Sequence, residues 1–177
     1  MSKRIVITAG HSNVDPGAVS GKFTEAELVT QYRNALVSCL KDLGIIAVTD
    51  GTGTLNLPLT DAIKLAKGAD FALEIHMNAA ASAQANGVET IALPKDKAIA
   101  QAISKASAKA LNQRVRGNDG WIDQSQSARG KLGFINAGGL ILELIFISNP
   151  TERTFYLDNY WKSARAVAQV IADHIGK

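Results

Sequence analysis

A chain of 177 residues, 46% of them apolar, has the size of one domain and the material for a sizeable core. Its net charge of +3 suits an anionic wall polymer and a nucleic acid equally, while the single cysteine, Cys39, excludes an intramolecular disulfide framework. No stretch approaches the roughly 18 uncharged apolar residues of a spanning helix, so the expected product is one soluble domain over residues 1–177 without membrane association.

In chain order, Met1-Ser2-Lys3-Arg4 precedes only the short run Ile5-Val6-Ile7-Thr8-Ala9, of strand length and too brief for a signal peptide's apolar region. Synthesis in the cytoplasm without export by its own signal is the expectation. Residues 24–43 place Leu28, Val29, Tyr32, Ala35, Leu36, Cys39, Leu40 and Leu43 at helical spacing, and Gly44 supplies the stop. Strand-like runs recur at 45–49, 71–76, 88–93 and 140–146, with helical patterns predicted at 59–67, 97–113 and 159–175. In the last of these Trp161, Ala164, Val167, Ala168 and Ile171 are predicted to share a face. The alternation implies an α/β sandwich with a largely parallel sheet. Residues 114–139, rich in glycine, read as a long surface loop or flap.

Ligands of parallel α/β sheets gather beyond the carboxyl ends of the strands. The first strand leads into Gly10-His11-Ser12-Asn13, the third ends Glu74-Ile75-His76-Met77-Asn78, and the last carries Glu143 within Leu142-Glu143-Leu144. Two imidazoles from distant parts of the chain then meet at one sheet edge. Zinc hydrolases commonly add one carboxylate to two such rings and keep a fourth position for water. The helix from residue 24 offers Glu25, in line with the inward stripe of Leu28, Val29, Tyr32 and Leu36, and Glu27, in line with Gln31, Asn34, Ser38 and Lys41. Glu27 also completes the capping box Thr24-x-x-Glu27. Glu25 is therefore the predicted third ligand beside His11 and His76. Glu143, a carboxylate among Leu, Ile and Phe, is costly to bury without a role. Beside the attacking water it would take a proton and pass it to the leaving amine, and an apolar setting raises a carboxyl pKa toward the working range.

These residues in this order resemble the zinc-dependent N-acetylmuramoyl-L-alanine amidases of the type 3 group, found in autolysins, sporulation hydrolases and phage endolysins. Ala9-Gly10-His11 with Asp15-Pro16-Gly17-Ala18 looks like the opening motif, Ile75-His76-x-Asn78 like the second histidine, and Leu142-Glu143-Leu144-Ile145-Phe146-Ile147-Ser148-Asn149-Pro150 like the segment with the catalytic glutamate. The likeness spans residues 4–175. It implies a mixed, mainly parallel six-stranded sheet flanked by helices. One Zn2+ would sit on His11, Glu25 and His76, with Glu143 catalytic. The substrate would be the peptidoglycan amide between the lactyl group of N-acetylmuramic acid and L-alanine. The sequence departs from the pattern at Ser12-Asn13, where glycines are usual, and at Glu74, where Ser is frequent. Glu74 is left as either a partner of a ligand histidine or a rival to Glu143.

Other polar residues have plainer readings. Asp15 orders the turn into Pro16-Gly17; His174 suits the end of the last helix; Cys39 belongs to the core. Asn78 holds the loop after His76 or touches substrate. Gly51-Thr52-Gly53 lacks the Lys-Ser/Thr of a phosphate loop, which argues against a nucleotide-binding protein. Trp121, Arg114, Arg116 and Arg129 belong to a solvated loop or clamp a glycan or peptide. The expected protein is a monomeric endolysin-like amidase, with peptidoglycan rather than nucleic acid as partner, reaching the wall with holin-like help. A zinc peptidase cutting another stem-peptide bond and a silent wall-binding module are the rivals.

Overall fold

Each apolar run becomes a strand in the computed structural model, which describes residues 3–127 and 130–177. The main sheet is built from β1 (Ile5–Ala9), β4 (Ala47–Thr49), β5 (Phe71–Asn78), β6 (Glu89–Ala92), β7 (Trp121–Asp123) and β8 (Leu140–Phe146), and a small hairpin from β2 (Val19–Ser20) and β3 (Phe23–Thr24). The helices are α1 (Glu25–Asp42), α2 (Leu59–Ala66), α3 (Lys97–Ala110), α4 (Gly133–Asn136) and α5 (Pro150–His174). The six-stranded sheet runs β4-β1-β5-β8-β6-β7, parallel except where β6 meets β8. The mixed, mainly parallel α/β sheet expected from the sequence is what forms.

Side-chain alternation gives the sheet two apolar faces, as a sheet covered on both sides requires. Ile5, Ile7, Leu73, Ile75, Leu142 and Leu144 pack with α1, α3 and α5, whereas Val6, Ala72, Ile91 and Ile141 pack with α2 and α4. From β1 the chain crosses to β4 on one side and later lays β5 on the other. The connections therefore diverge and open a crevice beyond the carboxyl ends of β1 and β5. Beyond the pair His76 and Glu143, the β5–β8 register shifts so that Asn78 opposes Phe146. The extra residue is a β-bulge on β8: Leu144 and Ile145 both turn into the larger core, and Phe146 returns to the face of Glu143.

Two expectations need correction. Residues 114–139 are not one open loop, because they contain the edge strand β7, paired with β6, and the short α4, whose Phe134 and Ile135 are buried. The last helix starts nine residues before the predicted position, at Pro150, with Asn149 capping Thr151 and Glu152, and it buries Tyr156, while Trp161 is 47% exposed. Pro in the first turn has no amide to lose, and the Asn149 side chain satisfies two orphan N–H groups. Among the described residues no helix is long and apolar enough to cross a membrane.

Candidate metal centre

His11 leaves β1 at φ +67°, a left-handed conformation uncommon outside glycine. The turn that holds it is closed by Ser12 and Asp15, whose backbones bond each other at 3.2 Å, and the Gly10 carbonyl accepts from Asn56 Nδ2 at 2.9 Å. Asn56 in turn accepts from the buried Arg33, which pairs with the equally buried Asp50 at 3.0 Å; Asp50 also accepts the Ala9 amide. Two glycines let the ligand rings approach. A Cβ at Gly10 would collide with the His76 ring, and one at Gly17 would lie 2.6 Å from that of His11.

Glu25 opens α1 on its inward face and is 4% exposed, whereas Glu27 is exposed and keeps to the capping box, accepting from the Thr24 hydroxyl at 2.9 Å. The helix-face choice between the two is thus the observed one. The Glu25 carboxylate is steadied by the Ala18 amide at 3.1 Å and the Met77 amide at 2.9 Å. Its oxygens lie 2.9 Å from His11 Nε2 and 3.0 Å from His76 Nδ1, and all three ligand atoms fall within 4.8 Å of one another. His11 Nε2 is buried and, among the described residues, only the Glu25 carboxylate faces it, an arrangement natural for a ligand. Two imidazole nitrogens and one carboxylate oxygen, converging at a strand end, fit a metal of the zinc type.

Charges in this cluster are mutually supporting. Burial opposes the charged form of Glu25, yet its bonds to His11 and His76 outweigh burial and hold the carboxyl far below the usual range. Burial likewise opposes protonated His11 and His76, but Glu25 with Asp15 raises the first, and Glu25 with Glu74 raises the second well above 6.5. Protons and metal compete for the same ring nitrogens, so metal affinity falls with falling pH.

The outer nitrogens are also engaged. Asp15 lies 3.0 Å from His11 Nδ1 while its other oxygen accepts the Gly17 amide at 3.1 Å, so it orders both the turn and the ligand. Glu74, only 1% exposed, lies 3.0 Å from His76 Nε2, the ring nitrogen opposite the one facing Glu25. That position suits a partner fixing the ring's tautomer and orientation. Replacing Glu74 by Ala is expected to weaken metal binding by about 10- to 100-fold, read by competition with a chromogenic chelator. Unchanged affinity would make Glu74 a packing residue. Glu143 stands half-buried on β8, opposite His76 in register and on the same sheet face.

The other candidates scatter. Asn78 donates to Glu89 at 2.9 Å, a structural tie. Trp121 lies in β7, donates to the Ala92 carbonyl and packs partly buried against the core. Arg114 bonds Asn86 and Arg116 bonds Glu89, whereas Arg129 lies outside the described residues. Gly51-Thr52-Gly53 forms the turn around Arg33. Cys39 is half-buried against the core, and His174 ends α5. Sequence reasoning missed Glu89 and the Arg33–Asp50–Asn56 support. Only the cost of burying Arg33 on the inward half of α1 could have signalled the latter.

Residues 5–176 match the model of the Amidase_3 family, N-acetylmuramoyl-L-alanine amidase. A crystal structure from Neisseria meningitidis, assigned as an N-acetylmuramoyl-L-alanine amidase, is 43% identical over 98% of this chain and 96% of its own, with a TM-score of 0.91. The catalytic domain of CwlV, an N-acetylmuramoyl-L-alanine amidase from Bacillus (Paenibacillus) polymyxa var. colistinus, is 26% identical over 98% of both chains, with a TM-score of 0.84. The catalytic domain of an endolysin targeting Clostridia difficile shares the fold at 16% identity, with a TM-score of 0.71 over 97% of both chains. No curated protein matches.

Proposed function

The chain belongs to the N-acetylmuramoyl-L-alanine amidase family, whose activity is on peptidoglycan, and from that membership we propose a zinc enzyme in which His11, Glu25 and His76 hold the ion and Glu143 moves the proton. The observation that carries this reading is the convergence of the three ligand atoms, two from imidazoles and one from a carboxylate, with a second carboxylate, Glu143, on the next strand. Held by His11, Glu25 and His76, zinc would supply Lewis acidity for polarising the scissile carbonyl and for activating water near neutral pH. Glu143 takes a proton from the attacking water as its oxygen bonds the lactyl carbonyl carbon. It then gives that proton to the nitrogen of L-alanine as the C–N bond breaks, leaving a carboxylate and a free amino terminus. Asp15 and Glu74 keep the rings aimed.

We propose further that the protein acts as a monomer, the site being complete within one chain, and that peptidoglycan, the substrate of its family, is its partner. The biological setting we propose is lysis, by an enzyme that is made in the cytoplasm and reaches the wall once the membrane is breached, as phage endolysins do with holin help. Clearing of permeabilised cells by added protein supports that setting; intact turbidity with cleaved isolated wall would point to remodelling instead.

The activity is tested on purified peptidoglycan, with and without chelator. New L-alanine amino termini without new reducing ends are expected, lost on chelation and restored by zinc. His76→Ala is expected to lose both bound metal and activity. Cleavage elsewhere in the stem would mean a peptidase, and binding without release a silent wall-binding module.

A further inference from the structure

The sheet order sets the site residues in a row across neighbouring strands. His11 and His76 rise from β1 and β5, Glu143 stands on the next strand, and Glu89 opposes Glu143 on the strand after that. If the acyl carbon is held at the metal and the leaving nitrogen takes its proton from Glu143, the peptide half of the substrate extends over β8 and β6. The sugar half lies toward β1.

On the peptide side waits an arginine with little freedom. Arg116 donates through Nε to Glu89 Oε2 at 2.6 Å and through Nη1 to the Asn86 carbonyl at 3.3 Å, and its guanidinium lies 4.8 Å over the Phe146 ring. The bulge on β8 returns Phe146 to the face of Glu143. Glu89 is nearly buried, and its other oxygen is held by Asn78 Nδ2 at 2.9 Å. Arg116 itself is half-exposed, and among the described residues its Nη2 makes no hydrogen bond. A planar fork fixed on one edge and one face, on a side chain that keeps part of its surface exposed, is preorganised for a carboxylate.

We propose that Arg116 receives a carboxylate of the substrate's peptide and thereby makes peptide charge a determinant of specificity. This rests on the assignment of Glu143 as proton donor to the leaving amine. Strands lie about 4.8 Å apart, so β6 stands about 10 Å from β5. An extended peptide covers that distance in about three residues. The carboxylate read is therefore on the second or third residue of the stem.

The test uses the metal-loaded protein and two muramoyl-peptides, identical except that the carboxylates of the second and third residues are free or amidated. Wild type is expected to show a KM about 10- to 100-fold lower for the free-carboxylate peptide, the range of a hydrogen bond to a charged group. In Arg116→Ala that preference should collapse through KM rather than kcat, and Arg116→Lys should restore part of it. Equal KM values for the two peptides in wild type would overturn the inference, whether or not a variant folds. Calorimetric titration with the same two peptides reads the site without turnover. Carboxylate-dependent binding by an inactive protein would sustain Arg116 and sink the amidase reading; turnover without charge preference would do the reverse.

Discussion

Replacing Glu143 by Gln should lower turnover about a thousandfold, within the range of a lost general acid–base, and leave the metal bound. The amide keeps the shape of the side chain but can neither take the proton of the attacking water nor deliver one to the leaving nitrogen. Glu143 lies outside the ligand trio, yet its charge reaches His76. Metal content by elemental mass spectrometry and kcat on the same sample check the split. Turnover within tenfold of wild type would remove Glu143 from the chemistry. Metal lost together with activity would instead make it a ligand.

The second large effect lies beneath the site. Arg33 and Asp50 are both fully buried and paired at 3.0 Å. Such a pair is no proof of net stability, but removing one partner strands the other charge at a cost of about 3–5 kcal/mol. Asp50→Ala is expected to show that loss in a denaturant titration. It should also weaken metal binding, because Asp50 holds the Ala9 amide while Arg33 holds Asn56, which donates to the Gly10 carbonyl preceding His11. Exchanging both charges at once, Arg33→Met with Asp50→Leu, should recover most of the stability while metal affinity stays low. A loss below about 1 kcal/mol in the single variant would contradict the burial argument.

What the sequence made legible was local. β1 and β8 fall where their apolar runs predict, and the stripe of α1 told Glu25 from Glu27 because helical periodicity fixes which side chain faces inward. Glu143 was noticed as a misfit, a carboxylate among aliphatics. What escaped was non-local. β7 is a three-residue edge strand whose pairing with β6 decides its state, and so short a run amid glycines carries no period to read. Trp161 was drawn into the core by its apolar character, although the face of α5 that packs is set by Tyr156, Ser163, Ala164 and Val167. The Pro150 start with its Asn149 cap was readable and was overlooked in favour of that stripe. Nothing in the sequence around Arg33 marks it as buried on α1. Its partners, Asp50 and Asn56, lie 17 and 23 residues away and meet it only in the fold.

The bulge on β8 has an evolutionary corollary. Side chains on a regular strand alternate with a strict period of two, so losing a single residue at 144 or 145 would remove the bulge and leave Phe146 opposite Asn78 and on the face of Glu143, while taking one aliphatic from the core. Substituting one aliphatic for another in that stretch disturbs only packing. Among relatives, a one-residue deletion between Glu143 and Phe146 should therefore spare the face that carries Glu143 and be felt in the core instead, as the loss of one of the two buried aliphatics.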